Sequence, residues 1–213
     1  MASVLAMLAT ILVGSPLWAA EPEAAALVST LARPAPARTP YTEVRFASML
    51  DRPLILHGEL EYLGPGKLGK RVDTPYQEVT TIDGSDVAIK RGSGEVRHYS
   101  LNQAPEMEGF LRGFSALLGG DAKTLAADFD LKSSGDASAI WTLNLTPRDA
   151  RLRRRIASID VYGSGNTPRC FATSEADGDT NILLVDDLAS AKLPTRFAPT
   201  IVLNLCRSKK SAQ

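Results

Sequence analysis

The chain has 213 residues, with 24 basic and 24 acidic side chains, so its formal net charge is zero and no global field draws it to nucleic acid. An apolar fraction of 44% against 23% charged excludes a disordered chain and leaves enough apolar surface for a real core. A length close to the ~100 to 200 residues of one domain predicts a single core.

The first 20 residues, MASVLAMLATILVGSPLWAA, hold no charged side chain, and the run from Val4 to Val13 has the length of the apolar centre of an export signal. That run is shorter than the ~20 apolar residues needed to span a bilayer. Gly14, Ser15 and Pro16 break its helix, and Ala19 and Ala20 offer small residues for cleavage before Glu21. Residues 1–20 are therefore expected to be a cleaved signal peptide and residues 21–213 one exported, periplasmic domain.

Ala24, Leu27, Val28 and Leu31 recur at helical spacing, with acids ahead of them and Arg33 behind, which predicts an amphipathic helix over Glu21 to Arg33. Pro34, Pro36 and Pro40 end it and predict a surface connection. From Tyr41 the period changes to two. Leu54, Leu56, Leu60 and Tyr62 fall on one face of a strand, opposite His57, Glu59 and Glu61. Trp141, Leu143 and Leu145 repeat the pattern against Thr142, Asn144 and Thr146. Strands with one wet face argue for an antiparallel sheet rather than a parallel one buried on both sides. Turn signals at Gly64 to Gly66, Asp83-Gly84, Gly92 to Gly94, Gly163 to Gly165 and Asp177-Gly178 predict hairpins in a curved sheet or barrel. One segment departs from this rhythm: Met107, Phe110, Leu111, Phe114, Leu117 and Leu118 make a helical apolar stripe between Pro105 and Gly119-Gly120. Such a stripe must rest on the apolar face of the sheet.

Motifs for chemistry are weak. The Gly64 to Lys70 segment GPGKLGK has the spacing of a dinucleotide fingerprint, but the third glycine opens no helix, so a hairpin is the expected structure. His57 and His98 lack cysteine or carboxylate neighbours at zinc-ligand spacing, and no serine sits in a nucleophile elbow. Glu59 and Glu61 share a wet strand face and are expected to be solvated. No catalytic residue, metal or cofactor is expected. Arg151, Arg153, Arg154 and Arg155 read as a solvated strand start, with an anionic head group or acidic partner as the alternative. The two cysteines, Cys170 and Cys206, both lie in strand-like contexts. In an oxidising compartment they can pair; two buried thiols acting as small hydrophobes suit the sequence equally well.

Taken in order, the N-terminal helix, LDRPLILHGELEYLGPGKL, TPYQEVTTIDGSDVAIKRG, the Phe-rich helix, LAADFDL, WTLNLTP, IASIDVYG and DGDTNILLVDD resemble the LolA-type outer-membrane lipoprotein carriers, in a divergent branch. The resemblance spans roughly residues 21 to 205. It implies a mainly β fold of the α+β kind, an incomplete antiparallel barrel with helices covering its mouth, and an apolar cavity that shields acyl chains. It also implies a non-enzymatic, monomeric periplasmic carrier whose cargo is an acylated lipoprotein or lipid-like ligand. An inner-membrane transporter and an outer-membrane acceptor would be its partners. On this reading Leu56, Leu60, Tyr62, Trp141, Leu143 and Leu145 contact the ligand, and Met107, Phe110, Leu111, Phe114 and Leu117 form a lid. Gly64 stands before Pro65 where the best-known carriers place a lid-tying Arg, so glycolipid and pigment-lipid cargo stay open beside lipoprotein. The alternative is a non-carrier adaptor of a lipid or pigment export system, which predicts a filled interior.

Overall fold

Period-two alternation with hairpin turns builds one antiparallel sheet, seen in a computed structural model that describes residues 20–136 and 139–208. The expected signal segment lies, up to Ala19, outside the described residues. The first strands are β1 (Ala37–Phe46), β2 (Leu54–Gly64), β3 (Lys67–Thr74), β4 (Glu78–Asp83), β5 (Asp86–Arg91) and β6 (Val96–Ser100). The second set is β7 (Phe129–Gly135), β8 (Trp141–Pro147), β9 (Ile156–Ser164), β10 (Thr167–Glu175) and β11 (Thr180–Val185). Their order across the sheet is β6-β5-β4-β3-β2-β1-β11-β10-β9-β8-β7, so the two halves of the chain meet where β1 pairs with β11. The end strands β6 and β7 do not pair with each other, and the barrel stays open. Asp130 and Lys132 on one edge and Arg97 on the other set charge along the free edges, which discourages edge-to-edge association.

Among the described residues, five helices accompany the sheet: α1 (Ala20–Thr30), α2 (Pro105–Gly119), α3 (Ala122–Asp128), α4 (Ala150–Arg153) and α5 (Pro199–Arg207). Pro105 opens α2 where its missing N–H costs nothing, and Gly120 closes it in the left-handed conformation at φ 70°, its N–H bonding to Ala116 and Leu117 carbonyls. Asp121 caps α3 by accepting from the Thr124 N–H, and Asp149 caps α4 by accepting from Arg151 and Leu152.

The helices divide between two faces. On the inner face, Ala24 and Val28 of α1, Leu31 just after it, Leu117 of α2 and Leu125 of α3 pack on Phe129, Leu131, Trp141, Leu143, Leu145 and Val161. Burying each such large side chain contributes roughly 1.5–3 kcal/mol. On the outer face, Val202 and Cys206 of α5 and Leu188 of a 3-10 turn at Asp186–Ser190 cover Val44, Cys170, Ala172, Ile182 and Leu184. Cys170 and Cys206 form a disulfide with Cα atoms 5.5 Å apart, which fastens α5 to β10.

Three expectations are corrected. Pro40 lies inside β1 rather than in a loop: β11 joins β1 only from Tyr41, so the missing proline N–H costs no ladder bond on that side. Of the Arg151 to Arg155 run, Arg151 and Arg153 lie on α4, which Asp149 caps and Leu152 anchors, and only Arg154 and Arg155 lead into β9; all four are exposed. Cys206 sits on a helix rather than in a strand.

Candidate functional site

Helices α1 and α3 fill the inner face only over its β7 to β9 side. Towards β1 to β4 and β11, α2 spans the sheet without filling the space beneath it. The gap is a cavity of about 280 Å³. Its roof is Phe110, Leu111, Phe114 and Leu118 of α2, and its walls include Leu60 and Tyr62 of β2, Leu68 of β3, Ile82 of β4, Phe171 of β10 and Leu183 and Val185 of β11. The Phe114 ring packs on Phe110 at 6.5 Å and on Phe171 at 5.5 Å between centroids, so an aromatic ladder runs from the helix to the sheet. A second, more polar cavity of about 340 Å³ lies on the other flank of α2, bounded in part by Ser115, Asp121 and Thr124. The two share Tyr62, Leu68, Ile82 and Leu111 as walls.

Helix α2 is held at defined points. Gly113 lets it approach β7: a Cβ there would stand 2.5 Å from the Phe129 ring. Arg112 forks onto Asp128 with two bonds of 2.7 and 3.0 Å. The Arg33 N–H donates to the Leu118 carbonyl at 2.9 Å. The β2–β3 hairpin also reaches the helix, its Gly66 N–H donating to Ser115 Oγ at 2.9 Å. The hairpin that carries Gly64 in place of the lid-tying Arg therefore meets α2 through its backbone, and the GPGKLGK segment is a hairpin as expected.

The floor of the cavity is not uniformly apolar. Glu43 of β1 is completely buried there. Its Oε1 accepts from Arg45 Nε at 2.6 Å and Asn181 Nδ2 at 2.7 Å, and its Oε2 accepts from the Lys70 ammonium. Burial by itself would raise the Glu43 pKa; the Lys70 charge and the Arg45 and Lys70 hydrogen bonds outweigh it and hold the carboxyl below its ordinary range. Lys70 also sits 5.1 Å over the Tyr41 ring. The Tyr41 hydroxyl is raised above the ordinary phenol range, first by burial and then by the neighbouring Glu43 charge. Two polar atoms here, Tyr41 Oη and Asn181 Oδ1, are buried without a hydrogen-bond partner.

Of the residues expected to touch a ligand, Leu60 and Tyr62 line the cavity. Leu56, Trp141, Leu143 and Leu145 do not. All four are packed in the core, Trp141, Leu143 and Leu145 on the side that α1 and α3 fill and Leu56 on β2, and Trp141 Nε1 donates to the Gly165 carbonyl at 2.8 Å. Of the expected lid residues, Phe110, Leu111 and Phe114 face the cavity, Leu117 is buried in the core, and Met107 stands outside the lining. Glu43, Lys70, Asn181, Phe171 and Leu183 were not foreseen as site residues. Lys70 carried a signal: it shares a strand face with Leu68 and Val72, a charge set among apolar neighbours.

Among the described residues no group of three or more His, Cys, Asp and Glu side chains is placed to hold a metal ion. No described helix is long and apolar enough to cross a membrane.

The sheet and α2 together define an open antiparallel barrel with an apolar chamber under a helix. Residues 19–208 match the family described as outer membrane lipoprotein carrier protein LolA-like, and the chain belongs to that family. No curated protein sequence matches it. Among solved structures it is similar to a LolA superfamily protein from Nitrosomonas europaea, at 12% identity and a TM-score of 0.42, covering 82% of this chain and 95% of that one. It is similar too to a putative outer membrane lipoprotein-sorting protein domain from Vibrio parahaemolyticus, at 11% identity and TM-score 0.42, over 88% and 100% of the two chains. LprF from Mycobacterium bovis aligns at 11% identity and TM-score 0.38, over 83% and 98%.

Proposed function

We propose that the protein is a periplasmic carrier that holds the acyl chain of a lipoprotein or lipid-like cargo in the cavity beneath α2 and moves it toward the outer membrane. The observation that supports this reading is the apolar chamber itself, roofed by Phe110 and Phe114 and walled by Leu60, Leu68, Phe171 and Leu183, in a member of the LolA-like family. An adaptor without cargo would gain stability from filling that space. Each methylene hidden from water is worth about 0.8 kcal/mol, so an acylated molecule crosses an aqueous gap only inside an apolar host.

In this reading residues 1–20 are an export signal, residues 21–213 act as one monomeric domain, and neither a cofactor nor a catalytic step is required. A transporter at the inner membrane loads the cargo and an acceptor at the outer membrane removes it. Helix α2 is the lid, since it roofs the chamber through its apolar side chains and is tied towards its C-terminal end by the Leu118 carbonyl and the Ser115 hydroxyl. Native mass spectrometry of the gently extracted protein, together with displacement of a lipid-like dye, tests the proposal. Co-purifying lipid or saturable dye binding is expected, and Phe114→Asp should weaken dye binding at least tenfold while the β-sheet circular dichroism persists. A protein that carries no lipid and binds no dye would remove the carrier reading.

A further inference from the structure

Buried ions are costly, and replacing them with packed apolar side chains is often neutral or stabilising, so a carboxylate on the floor of a lipid-sized chamber needs a reason. Glu43 is fully satisfied: both oxygens are occupied by Arg45, Asn181 and Lys70. Its partners are not. An ammonium has three donors, and Lys70 spends one on Glu43 while its others meet no hydrogen-bond partner among the described residues. Lys70 lines the cavity with 29% of its side chain accessible. Asn181 Oδ1 and Tyr41 Oη are buried beside the cluster with no hydrogen-bond partner. Two cations, Lys70 and Arg45, share the single Glu43 carboxylate, and of the two Lys70 lines the cavity. The surrounding wall of Leu60, Leu68 and Leu183 lowers the local dielectric and strengthens any charge-assisted bond made there.

We propose that this cluster is a head-group subsite for a single-chain amphiphile with an anionic head, a carboxylate or a phosphate monoester. The head is bound inward against Lys70 and the tail runs along Phe110 and Phe114. The Lys70 donors that meet no protein partner among the described residues call for an oxygen-rich anion. The chamber of about 280 Å³ is just below the ~300 to 1,000 Å³ of drug-sized ligand pockets, so it admits no more than one slender tail. This assignment rests on the carrier reading and deepens it by giving the cargo a polarity and a direction.

Isothermal titration of the purified protein with dodecanoate, dodecyl phosphate and dodecanol, each below its aggregation limit, separates the possibilities. Both anions should bind at least tenfold more tightly than dodecanol, and the tighter of the two identifies the head. Lys70→Met should weaken both anions about tenfold or more, the loss expected of a charge-assisted hydrogen bond, and leave dodecanol within twofold. Should that variant fail to fold, Lys70→Gln, which can still donate to Glu43, carries the same expectation. Equal binding of all three by the unmodified protein, or equal weakening of all three in the variant, overturns the head-group subsite while the carrier reading stands. Binding of none of them overturns both.

Discussion

A carboxylate with no access to water has to be held by its partners, and Glu43 makes a definite statement about stability. Because its folded-state pKa lies below the ordinary carboxylate range, its partners stabilise the fold at neutral pH, above the unfolded pKa, and that contribution is lost as pH falls through the folded value. Breaking a fully buried pair costs about 3–5 kcal/mol, but Lys70 and Arg45 keep 29% and 42% exposure and can be rehydrated. Glu43→Gln should therefore lower the unfolding free energy by about 1–3 kcal/mol at pH 7, and the gap from the unmodified protein should shrink as the pH falls below the ordinary carboxylate range and through the lowered folded-state value. Urea unfolding at pH 7 and pH 3 checks this, and a gap that stays constant would mean the ion cluster contributes nothing. In the sequence the cluster was hard to see. Tyr41, Thr42, Glu43 and Val44 are all buried, because β1 is covered on both faces, and a strand buried on both faces loses the alternation that separates inside from outside.

At the scale of elements, the outer face depends on α5. The stretch Ile201-Val202-Leu203-Asn204-Leu205-Cys206 places apolar residues at both period two and period 3.6, and only Pro199 at its start speaks for a helix. That ambiguity is why Cys206 reads as a strand residue while the disulfide joins a helix to β10. The cross-link spans a sequence separation of 36, for which the chain-entropy model gives about 3–4 kcal/mol. Cys206→Ser should lose about that much stability, and reductant should then cause no further loss, whereas it should bring the unmodified protein down to the same level. Thiol titration in denaturant without reductant should find no reactive cysteine; two reactive thiols would count against the cross-link. Helix α2 was read correctly from its stripe and its Pro and Gly ends, since those signals are local. Which of its apolar residues meet the core and which meet the cavity was not legible. That depends on α1 and α3, which come from distant parts of the chain.

At the scale of the molecule, the five glycine turns named from the sequence each fall between consecutive paired strands, so hairpin order and antiparallel sense were written locally. The closing pairing of β1 with β11 joins residues about 140 apart and left no local trace. The occupied half of the inner face was equally invisible: Trp141, Leu143 and Leu145 alternate as cleanly as Leu60 and Tyr62, yet α1 and α3 cover the former and leave the latter open. This asymmetry has a dynamic consequence. Strands β7 to β9 are pinned by a packed core, whereas β3 and β4 face α2 across a void, and few buried apolar contacts mean low local stability. An acyl chain in the void would touch both sides and bridge them. Hydrogen exchange should then slow, on adding a bound amphiphile, in α2 from Phe110 to Leu118 and in β3 and β4 from Leu68 to Ile82, with β8 and β9 unchanged. Slowing confined to the outer face, around α5, would place the ligand elsewhere and empty the chamber of its role.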